Sequence, residues 1–218
     1  MSNQQLHVVV SSAAEMLERY QAGERVFVGA NLPQADLSGI DLSQIDLRRA
    51  NLEGANFSGS SLSGANLSEC NLLDARLRGA DLSDARLQGA RMDQCNLREA
   101  FLWGINLVDA TLVEVDLSGA ILGNAHLRGA NLSGAYLWGA SLRRADLRHS
   151  QLNSAFLCGA NLWSADLTEA QLEGTDLRGA DLSASTLELA NLTGASFSKK
   201  TCFDPGFDPV AAGMRQVN

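Results

Sequence analysis

Residues 125–144 read AHLRG ANLSG AYLWG ASLRR, four copies of a five-residue unit that opens on Ala and carries Leu at its third position. Working outward, every fifth residue from Leu32 to Phe197 is Leu, except for Phe57, Met92 and Phe197, so 34 units follow one another without an insertion and 31 carry Leu. Two positions before each of these centres the residue is Ala in 24 of the 34 units; Ile40, Ile45, Cys70, Cys95, Ile105, Val115, Thr175, Ser60, Ser150 and Ser185 fill the others. A repeat this regular has to be recognised before any helix or strand is assigned.

The period excludes the common elements. Five residues on an α-helix advance about 500°, a net 140°, which would spiral the leucines over every face. On a straight strand an odd period sends successive leucines to opposite sides. If the chain instead takes a short extended step and turns a corner every five residues, Ala and Leu point inward together and the other three positions face out. The corner position two after each centre is Gly in seven of nine units of the register Leu37, Phe57, Leu77 to Phe197, and in eight of 25 elsewhere. This uneven distribution predicts a four-cornered coil of twenty residues in which one corner is a type II turn, whose second central residue needs positive φ. Four units per coil make about 8.5 coils from 34 units, and at about 4.8 Å per coil a solenoid roughly 40 Å long.

The unit Ala-Asn/Asp-Leu-x-x resembles that of the pentapeptide-repeat family, and the match covers residues 30–199. The resemblance implies an all-β fold, a right-handed quadrilateral β-helix. An open solenoid exposes an unpaired edge and a dry core at each end, so caps are expected. Residues 1–29 are assigned to an N-terminal cap, with a short amphipathic helix over about 12–22 in which Ser12 and Glu15 have capping-box spacing and Gly23 is the stop. Phe27 is in register with the leucines but follows Arg25 where Ala belongs, and is assigned to the cap. The stretch 201–209, TCFDPGFDP, breaks the period, so residues 200–218 are read as a C-terminal plug and tail. Both ends resemble those of cyanobacterial members of the family, in which a helix ending near Tyr-x-x-Gly, here Tyr20 to Gly23, leads into the first coil.

The 218 residues include 17 Lys and Arg against 25 Asp and Glu, a net charge of −8, without a long basic run. That balance disfavours general nucleic-acid binding. Val8, Val9 and Val10 are followed at once by Ser11 and Ser12, which excludes the apolar core of a signal peptide, and no apolar stretch approaches the roughly 18 residues of a spanning helix. A soluble cytoplasmic protein without membrane contact is expected.

Catalytic chemistry is not expected. His7, His126 and His149 are the only histidines; the last two lie on one side of successive coils but roughly 10 Å apart along the strand, too far to share a metal. Cys70 and Cys95 occupy the inward small position on different faces, Cys158 points outward among aromatics and Cys202 lies in the plug; no pair has redox or zinc spacing, so free thiols in a reducing compartment are expected. The position before each centre holds 19 Asn or Asp, but without the Gly-Gly-x-Gly-x-Asp nonapeptide calcium is not expected. In the family this side chain supports local backbone hydrogen bonds. Neither cofactor nor metal is expected.

Function must then sit on the outward positions. Tyr136 and Trp138 lie one coil below Phe156 and Cys158 on one face; Trp163 sits on the adjoining face, with Phe101, Trp103 and Ile121 lower on it. Exposed aromatics grouped in this way mark protein interfaces. Coil-on-coil stacking of the rings is the structural alternative. Residues 121–150 carry Arg128, Arg143, Arg144 and Arg148 against the single acid Asp146, for +3, while the rest of the chain carries −11. The aromatics as anchor and the arginines as a dock for an acidic segment predict a partner protein held by coils four to seven, with the rod itself a monomer or a weak homodimer. The octapeptide Ala100 to Leu107, AFLWGINL, is also similar to a stretch in a cyanobacterial family member that opposes heterocyst differentiation, which implies a regulator in cell-differentiation signalling. Two other readings remain. One is DNA mimicry, as in the family's gyrase-protecting members, for which Glu53, Asp74, Asp93, Glu114 and Glu173 supply a loosely acidic face; the other is a structural solenoid without a dedicated partner.

Overall fold

The computed structural model describes residues 9–218, which leaves His7 and the first eight residues of the expected cap outside the description. Single parallel bridges join residue i to residue i+20, beginning Val26↔Asp46, Asn31↔Asn51, Asp36↔Asn56 and Asp41↔Ser61 and continuing unbroken to Asp176↔Ser196. Four ladders therefore climb the rod, referred to below as the Asn31, Asp36, Asp41 and Asp46 faces after a residue low on each. Within a ladder each centre donates its N–H to the carbonyl of the bridging residue one coil above, as Leu132 does to Gln151 at 2.7 Å, and each bridging N–H reaches the coil below, as Asn131 does to Ala110 at 3.0 Å. The centres and the residues two before them are buried together, almost all with no exposed surface between Ala50 and Leu182. Small residues with a hydroxyl or thiol satisfy it inside: Ser60 donates to Phe57 O, Thr175 to Leu152 O and Cys70 to Leu47 O, each at 2.7 Å.

The corners correct the expectation drawn from glycine. Every corner position from Gln34 to Gly194 has positive φ, and eighteen of them are not Gly, among them Arg144 (58°), His149 (58°) and Leu189 (57°). Each corner is also commonly closed by a bond from the next inward residue back to the centre, as from Ala135 N to Leu132 O at 3.0 Å. All four corners are thus type II turns, and the glycine-rich one has no backbone of its own kind.

Helix α1, Ala13–Gln21, lies at the N-terminal end and buries Met16. Ser12 caps it by accepting from Glu15 N, but the reciprocal half of the expected capping box is missing because the Glu15 carboxylate pairs with Arg19 at 3.0 Å. At its end Gly23 (φ 100°) donates to Tyr20 O and Glu24 to Arg19 O, a Schellman pair. The Tyr20 hydroxyl donates to Ser43 O at 2.8 Å, tying the helix to the coil. Phe27, assigned to the cap by sequence, makes the bonds of a full unit: it is buried, donates to Asp46 O at 2.7 Å and is followed by a positive-φ Gly29. Arg25 is accommodated two positions earlier because it lies on the edge coil, where its guanidinium covers the Tyr20 ring at 3.9 Å.

At the other end strand β1, Ser196–Phe197, pairs in parallel with strand β2, Arg215–Gln216, and the ladder above Asp181 slips by one residue to Cys202. Thr201 secures the break, accepting from Gly179 N and Ser198 N and donating to Leu177 O. Phe203 packs edge-on against Phe197 and stacks on Phe207.

Candidate partner-binding face

On the outside, the Asn or Asp before each centre most often accepts a hydrogen bond from the N–H two residues on, as Asn161 does from Trp163 N at 3.0 Å. Where this position or the one just after the centre carries an aromatic residue, the ring stands on the surface. On the Asp36 face Tyr136 stacks on Phe156 with centroids 5.2 Å apart and planes 3° from parallel, and Trp138 meets both edge-on, at 5.4 and 6.0 Å. Trp138 stays 46% exposed and Phe156 36%. The three rings form one cluster, and the coil-on-coil stacking weighed in the sequence is part of how it is built.

On the Asp41 face Phe101 and Ile121 are bridge partners and both are exposed. The Trp103 indole lies over Gly123, where any Cβ would collide with the ring, which accounts for a glycine at a position without positive φ. Higher on this face the Arg143 guanidinium covers the Trp163 ring at 4.6 Å. Among the described residues no ring–ring contact joins the two faces: the aromatics form a compact cluster on one face and a looser ladder on the next.

The arginine group is altered more. Arg148 is held by Asp146 through bonds of 2.7 and 2.6 Å and lies 3.7 Å from Asp166. The paired guanidinium holds the Asp146 carboxyl below its usual value. Arg143 is committed to Trp163. Arg128 and Arg144 are exposed and make no ion pair among the described residues. His149 Nδ1 meets Glu169 at 3.2 Å and, with Asp109 and Arg128, borders a shallow depression. The signal for Arg148 was present in sequence: Asp-Leu-Arg, with the pair flanking a centre, recurs at 46–48, 146–148 and 176–178, and in each the arginine folds back on the aspartate two residues earlier.

The thiols differ by position. Burial pushes Cys70 and Cys95 up to about 12, and all four cysteines are unpaired. Among the described residues no cluster of three metal-ligating side chains occurs and no helix is long and apolar enough to cross a membrane. Sequence reasoning missed a depression of about 680 Å³ at the top of the Asp36 face, bordered by Cys158, Arg178, Lys199 and Lys200 over Gly159 and Gly179. Its signal was the glycine register itself, which runs up this corner and ends at Lys199.

The family described as Pentapeptide repeats matches residues 26–64, 60–98, 90–129, 125–163 and 165–199, in eight copies. Among solved structures the chain is similar to HetL from the cyanobacterium Nostoc sp. strain PCC 7120, a pentapeptide repeat protein involved in heterocyst differentiation regulation, with 31% identity over 93% of this chain and 92% of that one and a TM-score of 0.55. It shares its fold with a trypsin-treated variant of QnrB1, a plasmid-mediated fluoroquinolone resistance protein, with 20% identity over 79% of this chain and 91% of that one and a TM-score of 0.53. A comparison with the curated proteins found no match.

Proposed function

Because the chain belongs to the pentapeptide-repeat family, whose members are right-handed quadrilateral β-helices that serve as binding scaffolds, we propose that it is a non-enzymatic regulator that holds a partner protein on the outside of coils four to seven of a rod of about 8.5 coils. The Tyr136, Trp138 and Phe156 cluster carries this reading: three rings stand in mutual contact on a mostly polar surface, and such rings dominate binding energy where they are desolvated. Phe101, Trp103 and Trp163 extend the contact on the adjoining face, and Arg128, Arg143, Arg144 and Arg148 border it. Similarity to HetL over nearly the whole chain supports a role in cyanobacterial cell-differentiation signalling, exerted in the cytoplasm.

The test is to express the chain and its Trp138→Ser/Phe156→Ser variant in filaments of the Nostoc strain that carries HetL, scoring heterocyst spacing and recovering cross-linked partners. Altered spacing and a partner recovered with the wild type alone are expected. Equal effects from both proteins, with matching thermal transitions, would remove the ring cluster from the interface.

A second reading rests on the Asn31 face, where Glu53, Asp74, Asp93, Glu114 and Glu173 share the face with Arg91 and none of the five makes an ion pair among the described residues. An acidic ridge of this kind favours DNA mimicry toward gyrase. Inhibition of gyrase supercoiling by the wild type, lost on neutralising Glu53, Asp74 and Glu114, is the result that would select it.

A further inference from the structure

Conformation does not single out the glycine-rich corner, since the other three corners adopt the same positive φ with Gln, Glu, Asp or Arg. It has a spatial consequence. A Cβ added at Gly139 or Gly159 would meet nothing within 4 Å, and at Gly179 only the backbone of Gly159. Three successive coils thus present a bare strip of backbone along the edge between the Asp36 and Asp41 faces. Trp138 and Phe156 flank its lower end, around a depression of about 460 Å³ that also reaches Cys158 and Arg178. The larger depression continues from Cys158 and Arg178 up to Lys199 and Lys200, where Val217 and Asn218 of the C-terminal tail form its upper wall. Arg178 is neutralised by Asp176 at 2.6 Å, whereas Lys199 and Lys200 are exposed and make no ion pair among the described residues. The two depressions share Cys158 and Arg178 and form one groove, apolar at its lower end and basic at its upper end.

We propose that this groove takes an extended segment of a partner protein, running along the rod axis, with an aromatic or large aliphatic side chain seated on Trp138 and Phe156 and acidic residues against Lys199 and Lys200. The proposal rests on the partner-binding reading above and moves its acidic dock from the arginines, two of which are internally committed, to the lysines at the top of the rod. The spacing follows from the fold. Trp138 and Ser198 are three coils apart, about 14 Å at 4.8 Å per coil, which an extended chain spans in about four residues. The segment is therefore apolar-x-x-x-acidic or one residue longer. The bare corner gives it room: a side chain at Gly159 would stand in its path.

A library of random twelve-residue peptides displayed on phage and selected against the purified protein tests this directly. Peptides with the apolar-to-acidic spacing are expected to be enriched, and their binding to weaken about tenfold or more in Lys199→Glu/Lys200→Glu, with a steep loss as salt is raised. Gly159→Gln is expected to abolish binding while the rod stays folded, since Gln34, Gln44 and Gln94 occupy equivalent corners. Enriched peptides that lack acids at this spacing, or that bind the lysine and Gly159 variants as well as the wild type, would overturn the groove while leaving the ring cluster as the interface. Peptides that bind Trp138→Ser/Phe156→Ser undiminished, or no enrichment at all, would overturn both.

Discussion

Leu189 holds a corner φ of 57° with 74% of its surface exposed, so its side chain gains nothing from packing and retains the strain of the left-handed region. That strain is about 1–2 kcal/mol for an L-residue and is partly offset by the lower entropy of the unfolded chain relative to a Gly variant. Leu189→Gly is expected to stabilise the protein by about 0.5–1 kcal/mol, a rise of a few degrees in Tm by calorimetry. An unchanged or lower Tm would mean that the corner carries no strain to relieve. The reverse case is Leu132, fully buried at a centre of the rod. Leu132→Asp places an unpaired carboxylate among apolar side chains, at a cost expected to exceed about 4 kcal/mol, and circular dichroism should show no cooperative native transition at pH 7. A folded variant would contradict the inward register. The two sites differ in how far sequence revealed them: Leu132 was assigned by a strict period, whereas corner geometry was misread from glycine frequency, because glycine reports permissive φ and empty space alike.

The five-residue corner is the element from which the molecule is assembled, and its polar side is where charge enters its stability. In three units an arginine folds back on the aspartate two residues earlier, and hydrogen bonds from Arg48, Arg148 and Arg178 lower the carboxyls of Asp46, Asp146 and Asp176. Asp36 and Asp41 are lowered by bonds from the hydroxyls and N–H groups of Ser38 and Ser43. A carboxyl depressed in the folded state contributes stability that is fully present above its unfolded value near 3.9 and is lost as pH falls through the folded value. Tm is therefore expected to be level from neutrality to about pH 5 and to fall below about pH 4. The triple variant Asp46→Asn/Asp146→Asn/Asp176→Asn should start lower at pH 7 and lose less on acidification. An acid slope equal to that of the wild type would assign acid sensitivity to other carboxylates. The pairing is an i, i+2 relation that a helical reading of charge would pass over, and the extended step through each centre brings it into contact because the residues on either side of an inward Leu both point outward on one face.

At the scale of the whole molecule, contacts run almost wholly between residues twenty apart, so the rod is a one-dimensional stack in which each coil meets only the coils above and below. The ladder register was legible in the sequence because it is a multiple of the repeat. The slip to Cys202 and the return of β2 onto β1 were not, because they depend on where Thr201 and the Phe203–Phe207 stack close the core. The same logic makes the length of a deletion decisive. Excising residues 81–100 removes one full coil and joins Ala80 to Phe101, so that Ser61 bridges Phe101 and every inward Leu stays inward. The Tyr136, Trp138 and Phe156 cluster, the bare corner and the lysines above it keep their mutual positions. Small-angle scattering should show a folded rod shorter by about 4.8 Å with partner or peptide binding retained. Deleting Gln88 alone shifts the period by one residue and turns every later centre out of line with the coil below, which at this side-chain spacing exchanges inward and outward positions across the junction. That variant is expected to lose cooperative unfolding although it lacks only a single exposed or half-exposed side chain. A stable single-residue deletion alongside an unfolded twenty-residue one would mean that the stability of the rod does not reside in its register.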